Sequence, residues 1–365
     1  MKILVFTSRY TASRDIIDED FGRQVRLFEQ LAKLGHKIDF FCADYKKFEN
    51  RNLELHHLRI FIRPFRPSRL FSFLLELGKM IRNGNYDLII ATSDPLWGII
   101  GYFAAKKYKI RFVYDIQDNY TIYKSYKMPF FGLLERYATK NSDLVMCASN
   151  ILENNVRKAR KKKTIVIPNG VDTKIFRPLG KSDSRKKLKL PADAKIISYI
   201  GSVQRIQGVG ILIKAFEELR EEIKKINLLI AGRIGTVVKE NFDLGKDGII
   251  YLGSLPQDKV AYAINASDVL VIPYPKNKFT EVMFAPYKIV EFMACNKPIV
   301  VTDAGEMHKH IMDRKMIAKA GDTEDLKEKI KYALKLRKVD SRKAAMEFEW
   351  ENLARKLDKA IKEMS

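Results

Sequence analysis

Cysteine is scarce in this chain, with three in 365 residues: Cys42, Cys147 and Cys295. They stand far apart in apolar, strand-like contexts and have neither disulfide-framework nor zinc spacing. They read as buried thiols of a reducing compartment. No run of about 18 uncharged apolar residues exists, because the most apolar stretch, 88–105, is interrupted by Asp94-Pro95. The start, Met1-Lys2-Ile3-Leu4-Val5-Phe6, goes straight into strand-like sequence, so no signal peptide is expected. None of the five histidines (His36, His56, His57, His308, His310) lies in a motif with a catalytic partner. No His/Cys cluster or acidic pair reads as a cation site, so no catalytic metal is expected. Gly208-Val209-Gly210 lacks the third glycine of a dinucleotide fingerprint, which argues against NAD. Short-period repeats and low-complexity tracts are absent too.

Positive charge is abundant. The chain carries 67 Lys and Arg against 44 Asp and Glu, a formal net charge of +23. Such an excess attracts polyanions, either nucleic acid or an anionic membrane surface. It is spread over both halves, with two concentrations. One is Arg157-Lys158-Ala159-Arg160-Lys161-Lys162-Lys163. The other is 59–75, where Phe61, Phe65, Phe71 and Phe73 interleave with Arg63, Arg66 and Arg69. Pro64 and Pro67 predict an extended first part, followed by an amphipathic helix over 70–81. On one reading these aromatics insert at a headgroup boundary; on the other they are core and the arginines are solvated.

A hydrophobic content of 46% suits a full globular core, and 365 residues suffice for two domains of about 150–200 residues each. Short apolar runs alternate with helical periodicity throughout, the pattern of βαβ units on parallel sheets. Strands are expected at 2–7, 37–42, 53–58, 87–91, 111–115, 144–147 and 164–168. A second series follows a basic stretch at 180–190, with strands at 195–200, 227–231, 248–252, 269–273, 298–302 and 316–318. The two series predict an α/β protein of two doubly wound, Rossmann-like domains.

The densest information lies in 283–303. Pro286 suits the first turn of a helix, since its missing N–H would be unpaired there anyway. Lys288 and Glu291 then share one helix face near an N-terminus, where free N–H groups and the dipole favour phosphate. Lys288 adds charge for a diphosphate, and Glu291 offers two acceptor oxygens for a ribose diol. An isolated K-x-x-E would more simply be a solvated pair.

This segment resembles the donor-nucleotide signature of the GT-B glycosyltransferases of family 4, in the branch reading P-x-K-x-x-E-Y-M-A. Here the motif stands as Pro286, Lys288, Glu291, Met293, Ala294, Lys297, Pro298, Thr302 and Asp303, with Met283 where the commonest form has a first glutamate. The likeness runs nearly the whole length. Asn169-Gly170-Val171-Asp172 with Phe176 and Pro178 resembles the interdomain connection. Gly201 to Gly208 resembles the first loop of the donor domain, with Ser202 and Gln207 where Arg and Lys are usual. Phe348-Glu349-Trp350 resembles the terminal F-x-W. The family's N-terminal Gly-Gly loop is missing, with only Gly22 available.

The resemblance implies a GT-B fold whose two domains face a cleft. An acceptor domain would span 1–172, joined by a returning helix over 348–365, and a donor domain 173–347. It implies a retaining, metal-independent, hexosyltransferase-like enzyme, with a nucleotide-diphosphate sugar as substrate (UDP in preference to GDP) and no further cofactor. Donor contacts fall on Gly201, Ser202, Arg205, Gln207, Phe284, Ala285, Pro286, Lys288 and Glu291, with Arg205 or Lys288 neutralising the diphosphate. Asp118, at the end of a first-domain strand, maps onto an acidic position facing the acceptor and reacting carbon, though it would serve equally as a helix cap. Gly22, Asp303 and Glu306 fall on the acceptor side. The expected acceptor is a lipid-linked or membrane-proximal glycan of cell-surface polysaccharide or glycoprotein assembly. The expected location is cytoplasmic, peripheral on the inner face of an anionic membrane, with no nucleic-acid partner. Three rivals stay open: a non-catalytic GT-B scaffold or partner subunit, a nucleotide-sugar hydrolase or epimerase, and a nucleic-acid-binding protein.

Overall fold

A computed structural model of the protein describes residues 1–11, 14–122, 126, 128–234, 244–282, 286–336 and 338–364. Two compact units result, Met1–Asn169 with Trp350–Ser365, and Gly170–Glu349.

The first unit contains β1 (Lys2–Ser8), a short antiparallel ribbon of β2 (Tyr10–Thr11) and β3 (Arg14–Asp15), α1 (Arg23–Lys33), β4 (Lys37–Asp44), β5 (Arg51–Leu55), β6 (Leu58–Pro64), α2 (Leu70–Gly84), β7 (Leu88–Thr92), α3 (Pro95–Tyr108), β8 (Arg111–Ile116), α4 (Phe131–Asn141), β9 (Leu144–Cys147), α5 (Asn150–Arg157) and β10 (Thr164–Val166). Its sheet runs β10-β9-β8-β7-β1-β4-β6-β5 and is parallel except for the β5–β6 pair. The strands bury both faces, as near-continuous runs such as Ile3-Leu4-Val5-Phe6 require.

One expectation needs correcting here. A single strand over 53–58 gives way to a hairpin, because His56 (φ 48°) and His57 (φ 68°) both turn left-handed. Two successive positive φ values make the tight connection whose twist matches paired strands. Nothing in a His-His pair advertises it.

The 59–75 segment is accordingly strand, short 3₁₀ turn and helix. Phe73 is buried, and Phe65 packs edge-on against Phe73 (5.1 Å) and Trp97 (4.9 Å). Phe61 lies on β6 beside Phe41. Arg63 pairs with Glu76, and Arg66 lies 4.2 Å over the Phe48 ring. Of the four phenylalanines expected to insert in a membrane, only Phe71 is free to do so; Phe73 and Phe65 are held by packing.

The second unit carries α6 (Lys181–Lys187), β11 (Lys195–Ile200), α7 (Val209–Glu222), β12 (Ile226–Ala231), β13 (Ile249–Tyr251), α8 (Gln257–Ala266), β14 (Val269–Ile272), α9 (Tyr287–Ala294), β15 (Ile299–Thr302), β16 (Ile317–Ala318), α10 (Thr323–Leu334) and α11 (Arg342–Ala345). Its all-parallel sheet has the order β13-β12-β11-β14-β15-β16. The final helix, α12 (Trp350–Lys362), returns to the first unit and packs on α1, where Asp358 receives the buried His36 at 2.8 Å.

In each sheet the winding direction reverses between two neighbouring strands, β1 and β7 in the first, β11 and β14 in the second. Ligands of doubly wound sheets bind outside the carboxyl ends of the strands at such a reversal.

Candidate functional site

At the reversal of the second sheet, β11 ends on Ile200 and the chain turns through Gly201 at φ 142°. That φ suits glycine, and a Cβ there would lie 2.6 Å from Lys288 Nζ, so the loop passes close over that ammonium. The loop then makes a short 3₁₀ turn over Arg205–Gln207 and enters α7 through Gly208. Gly208 abuts the Pro273 carbonyl, where a Cβ would come within 1.9 Å.

Pro286 caps α9 with φ −61°, one position before the first helical residue, so Lys288 stands in the first turn. The Lys288 ammonium lies 4.5 Å from the centre of the Tyr199 ring and 4.9 Å from that of Tyr274. It donates to the Tyr199 hydroxyl at 3.3 Å. Among the described residues no carboxylate is hydrogen-bonded to it, and Glu291, one turn on, acts only through space. Loss of hydration at the ammonium pushes its pKa down from 10.5 to about 7, against the partial support of Glu291.

Tyr199 couples this lysine to the loop. Its hydroxyl lies 2.7 Å from the Ser202 carbonyl and 2.6 Å from Gln207 Oε1. One phenolic hydrogen serves one acceptor at a time, so a Gln207 amide turned to donate satisfies all the contacts. Gly201, Ser202, Gln207 and Lys288 are thus gathered round one phenol. Arg205 is exposed on the same 3₁₀ turn. Phe284 and Ala285, with Met283, lie outside the described residues.

Asp303 and Glu306 are already engaged. Asp303 accepts from Lys276 Nζ (2.7 Å) and from the Ala320 amide (2.8 Å), which ties the end of β15 to the end of β16. Glu306 is buried and paired with Lys309.

The first sheet carries a polar cluster at its own reversal. Arg23, in the first turn of α1 behind the Gly22 cap, is fully buried and bidentate to Asp115 at 2.9 and 3.2 Å. It also donates to the carbonyls of Ile167 and Pro168. Asp115 further accepts from Thr92 and Gln117, and Gln117 accepts from Gln24. Ser93 at φ 87° points its hydroxyl to Thr7 at 2.6 Å. Asp118 follows directly, with Oδ1 accepting from the Asn119 amide at 2.7 Å. This cluster escaped sequence reasoning because Arg23 and Asp115 are 92 positions apart.

A second buried arginine fixes the loop that replaces the Gly-Gly element. Arg9 reaches Asp15, Asp18, Asp44 and Glu49 at once. Asp18 and Asp20 stand two apart, in a pattern that alone would not exclude a cation. Asp18 is instead held by Arg9, Lys47 and Arg51, and Asp20 by Arg26 and His56. Among the described residues no group of three or more His, Cys, Asp or Glu side chains could hold a metal ion.

Comparison with known proteins gives this geometry its family. The Glycosyltransferase Family 4 model matches residues 24–175, and the Glycosyl transferases group 1 model matches 194–335. An uncharacterized glycosyltransferase of Methanocaldococcus jannaschii is 27% identical over 353 residues, covering 92% of this chain and 93% of its own. A D-inositol 3-phosphate glycosyltransferase of Xylanimonas cellulosilytica is 25% identical over 251 residues, 63% of this chain and 58% of its own. Among solved structures, HepE of Anabaena in complex with UDP superposes with a TM-score of 0.78 at 17% identity, covering 100% of both chains. With both halves of the chain matched in order and a GT-B fold around them, this protein belongs to the family 4 glycosyltransferases.

Proposed function

We propose that the protein transfers a sugar from a nucleoside diphosphate donor, UDP in preference to GDP, to a lipid-linked or membrane-proximal glycan, with retention of anomeric configuration and without a metal ion. The observation that carries the donor reading is Lys288. An ammonium hydrogen-bonded to no carboxylate among the described residues, at a helix N-terminus under a glycine loop and at the reversal of a doubly wound sheet, suits a diphosphate. The HepE complex with UDP supports the choice of nucleotide.

In this reading Lys288 and the exposed Arg205 neutralise the diphosphate, helped by the positive end of the α9 dipole. Glu291 accepts from both ribose hydroxyls. Pro286 belongs to the donor side, and Asp118 meets the acceptor. As the bond from the anomeric carbon to the diphosphate oxygen breaks, a bond from the acceptor oxygen forms on the same face. The acceptor proton passes to the departing phosphate oxygen, so no separate base is consumed. Asp118 stabilises the positive charge that develops on the sugar.

A thermal-shift screen with UDP-, GDP- and ADP-sugars, followed by assay of free UDP release with lipid-linked acceptors, tests the proposal. Ligand at 100 times its Kd stabilises by about 2.7 kcal/mol. No shift with any UDP-sugar removes the donor assignment, and binding without turnover on any acceptor favours the non-catalytic scaffold.

A further inference from the structure

Helices α2, α3 and α4 are neighbours in one layer, with α3 packed against both others. In a parallel sheet each such helix begins at the carboxyl edge of the strand before it. The first turns of α2 and α4 therefore lie at the same end of the layer as Ser93 and Asp118. Each carries an apolar stripe that no described residue covers. On α2, Phe71 is 75% exposed and Leu75 58%, with Leu70 and Leu74 beside them. At α4, Phe130 (74%), Leu133 (62%), Leu134 and Tyr137 recur at helical spacing. Phe103 of α3 stacks on Tyr137 with ring centroids 6.3 Å apart and bridges toward the second stripe.

Two further observations say what covers this face. The first is charge. The three helices carry Lys79, Arg82, Lys106, Lys107, Arg136 and Lys140 against only Glu76 and Glu135. Both acids are occupied, Glu76 by Arg63 and the buried Glu135 by Tyr126 and Thr139. Lys106 hangs over Tyr137, 3.4 Å from its hydroxyl, at the margin of the apolar stripe. The second is strain. Phe130 takes φ 62°, a left-handed conformation that a bulky residue rarely adopts, and it holds the ring outward beside a buried Phe131. Exposed aromatic and aliphatic side chains on helices whose cations form no salt bridge among the described residues match an interface that is apolar below and anionic above, as in the headgroup region of a bilayer. A nucleic acid would reward the charge and leave the apolar stripes without a partner.

We infer that the α2–α3–α4 face docks on an anionic lipid bilayer, with Phe71, Leu75, Phe130 and Leu133 as its inserted side chains. Docking there sets the carboxyl edge that carries Asp118 at the height of a lipid-linked acceptor. The inference rests on the lipid-linked acceptor proposed above only for its purpose; the docking itself needs no turnover.

Vesicle flotation of the full chain tests it, using phosphatidylcholine with and without phosphatidylglycerol, and the variants Phe71→Glu/Leu75→Glu and Phe130→Glu/Leu133→Glu. The wild type is expected to float with the anionic vesicles only, less at high salt, and each variant to bind about tenfold or more weakly. The substituted side chains are exposed, so thermal melting and UDP affinity should stay unchanged, which separates loss of the face from loss of the donor site. Wild-type protein that fails to float at low salt overturns the inference. So do variants that float like the wild type. A solution dimer broken by the same substitutions, without lipid binding, assigns the face to a second copy and overturns it as well.

Discussion

With Lys288 on the diphosphate as proposed, donor binding should be a proton-coupled event. Free Lys288 has its pKa pushed down to about 7, because its ammonium lies among Tyr199, Tyr274 and the Gly201 loop with only a through-space carboxylate to support it. A bound diphosphate supplies the missing negative charge and restores the protonated form. Above about pH 7, binding therefore takes up a proton, and affinity should fall by up to about tenfold per pH unit. From about pH 7.5 to about 9 the loss is roughly 30-fold, or about 2 kcal/mol. Working above pH 7.5 keeps the terminal phosphate of UDP, with a pKa of about 6, ionised throughout.

The unliganded fold should respond with the opposite sign. Its lysine pKa is depressed, so between about 7 and 10.5 the unfolded chain binds the extra proton and stability rises with pH. The full shift sets an upper bound of about 5 kcal/mol, to be discounted because part of the side chain meets water. Calorimetric titration with UDP in two buffers of different ionisation enthalpy reads the proton uptake directly, and Lys288→Met should abolish both uptake and slope. Wild-type affinity that is flat from about pH 7.5 to about 9, with no proton uptake, would falsify the placement of Lys288 on the diphosphate.

Glu291→Ala should weaken UDP by about 1.5–3 kcal/mol for each ribose hydroxyl it holds, with the melting temperature preserved; unchanged calorimetric affinity removes the residue from the site. Asp118→Asn should leave donor affinity intact and depress turnover, and near-normal kcat would make it only the turn-former that its bond to the Asn119 amide already shows. Tyr199→Phe removes the hydroxyl shared by Ser202, Gln207 and Lys288, so the donor KM should rise about tenfold while kcat changes little. Its pH profile should shift as well, a readout that simple loss of packing would not move.

What the sequence made legible was whatever is local or periodic. The βαβ alternation, the helix carrying Lys288 and Glu291, and the loop from Gly201 to Gly208 each occupy a few consecutive residues, and side-chain spacing suffices to place them on one face or one turn. The contacts that give those residues their properties are not local. Tyr199 meets Lys288 across 89 positions and Arg23 meets Asp115 across 92, so nothing in either neighbourhood signals the pairing. Sequence showed Lys288 as a cation near a helix end; only the two tyrosine rings make it a cation held near neutrality.

The same division explains why the 59–75 segment stayed open between two readings and why α4 was overlooked. Interleaved Arg and Phe look alike whether the rings face water or the core. The outcome was decided by β6 pairing with β4 and β5, which turned Phe65 and Phe73 onto Trp97 and left Phe71 outside. In α4, Leu133, Leu134 and Tyr137 share an exposed side. The burial of Phe131, Glu135, Ala138 and Thr139 shows that the helix packs through its other side, with a glutamate and a threonine bonded inward. The side left to solvent carries Leu133, Leu134 and Tyr137 along with Arg136 and Lys140, a mixed surface with more apolar area than a solvated helix face usually shows. That apolar area contributes nothing to folding while it stays in water, and it becomes favourable once an apolar phase covers it.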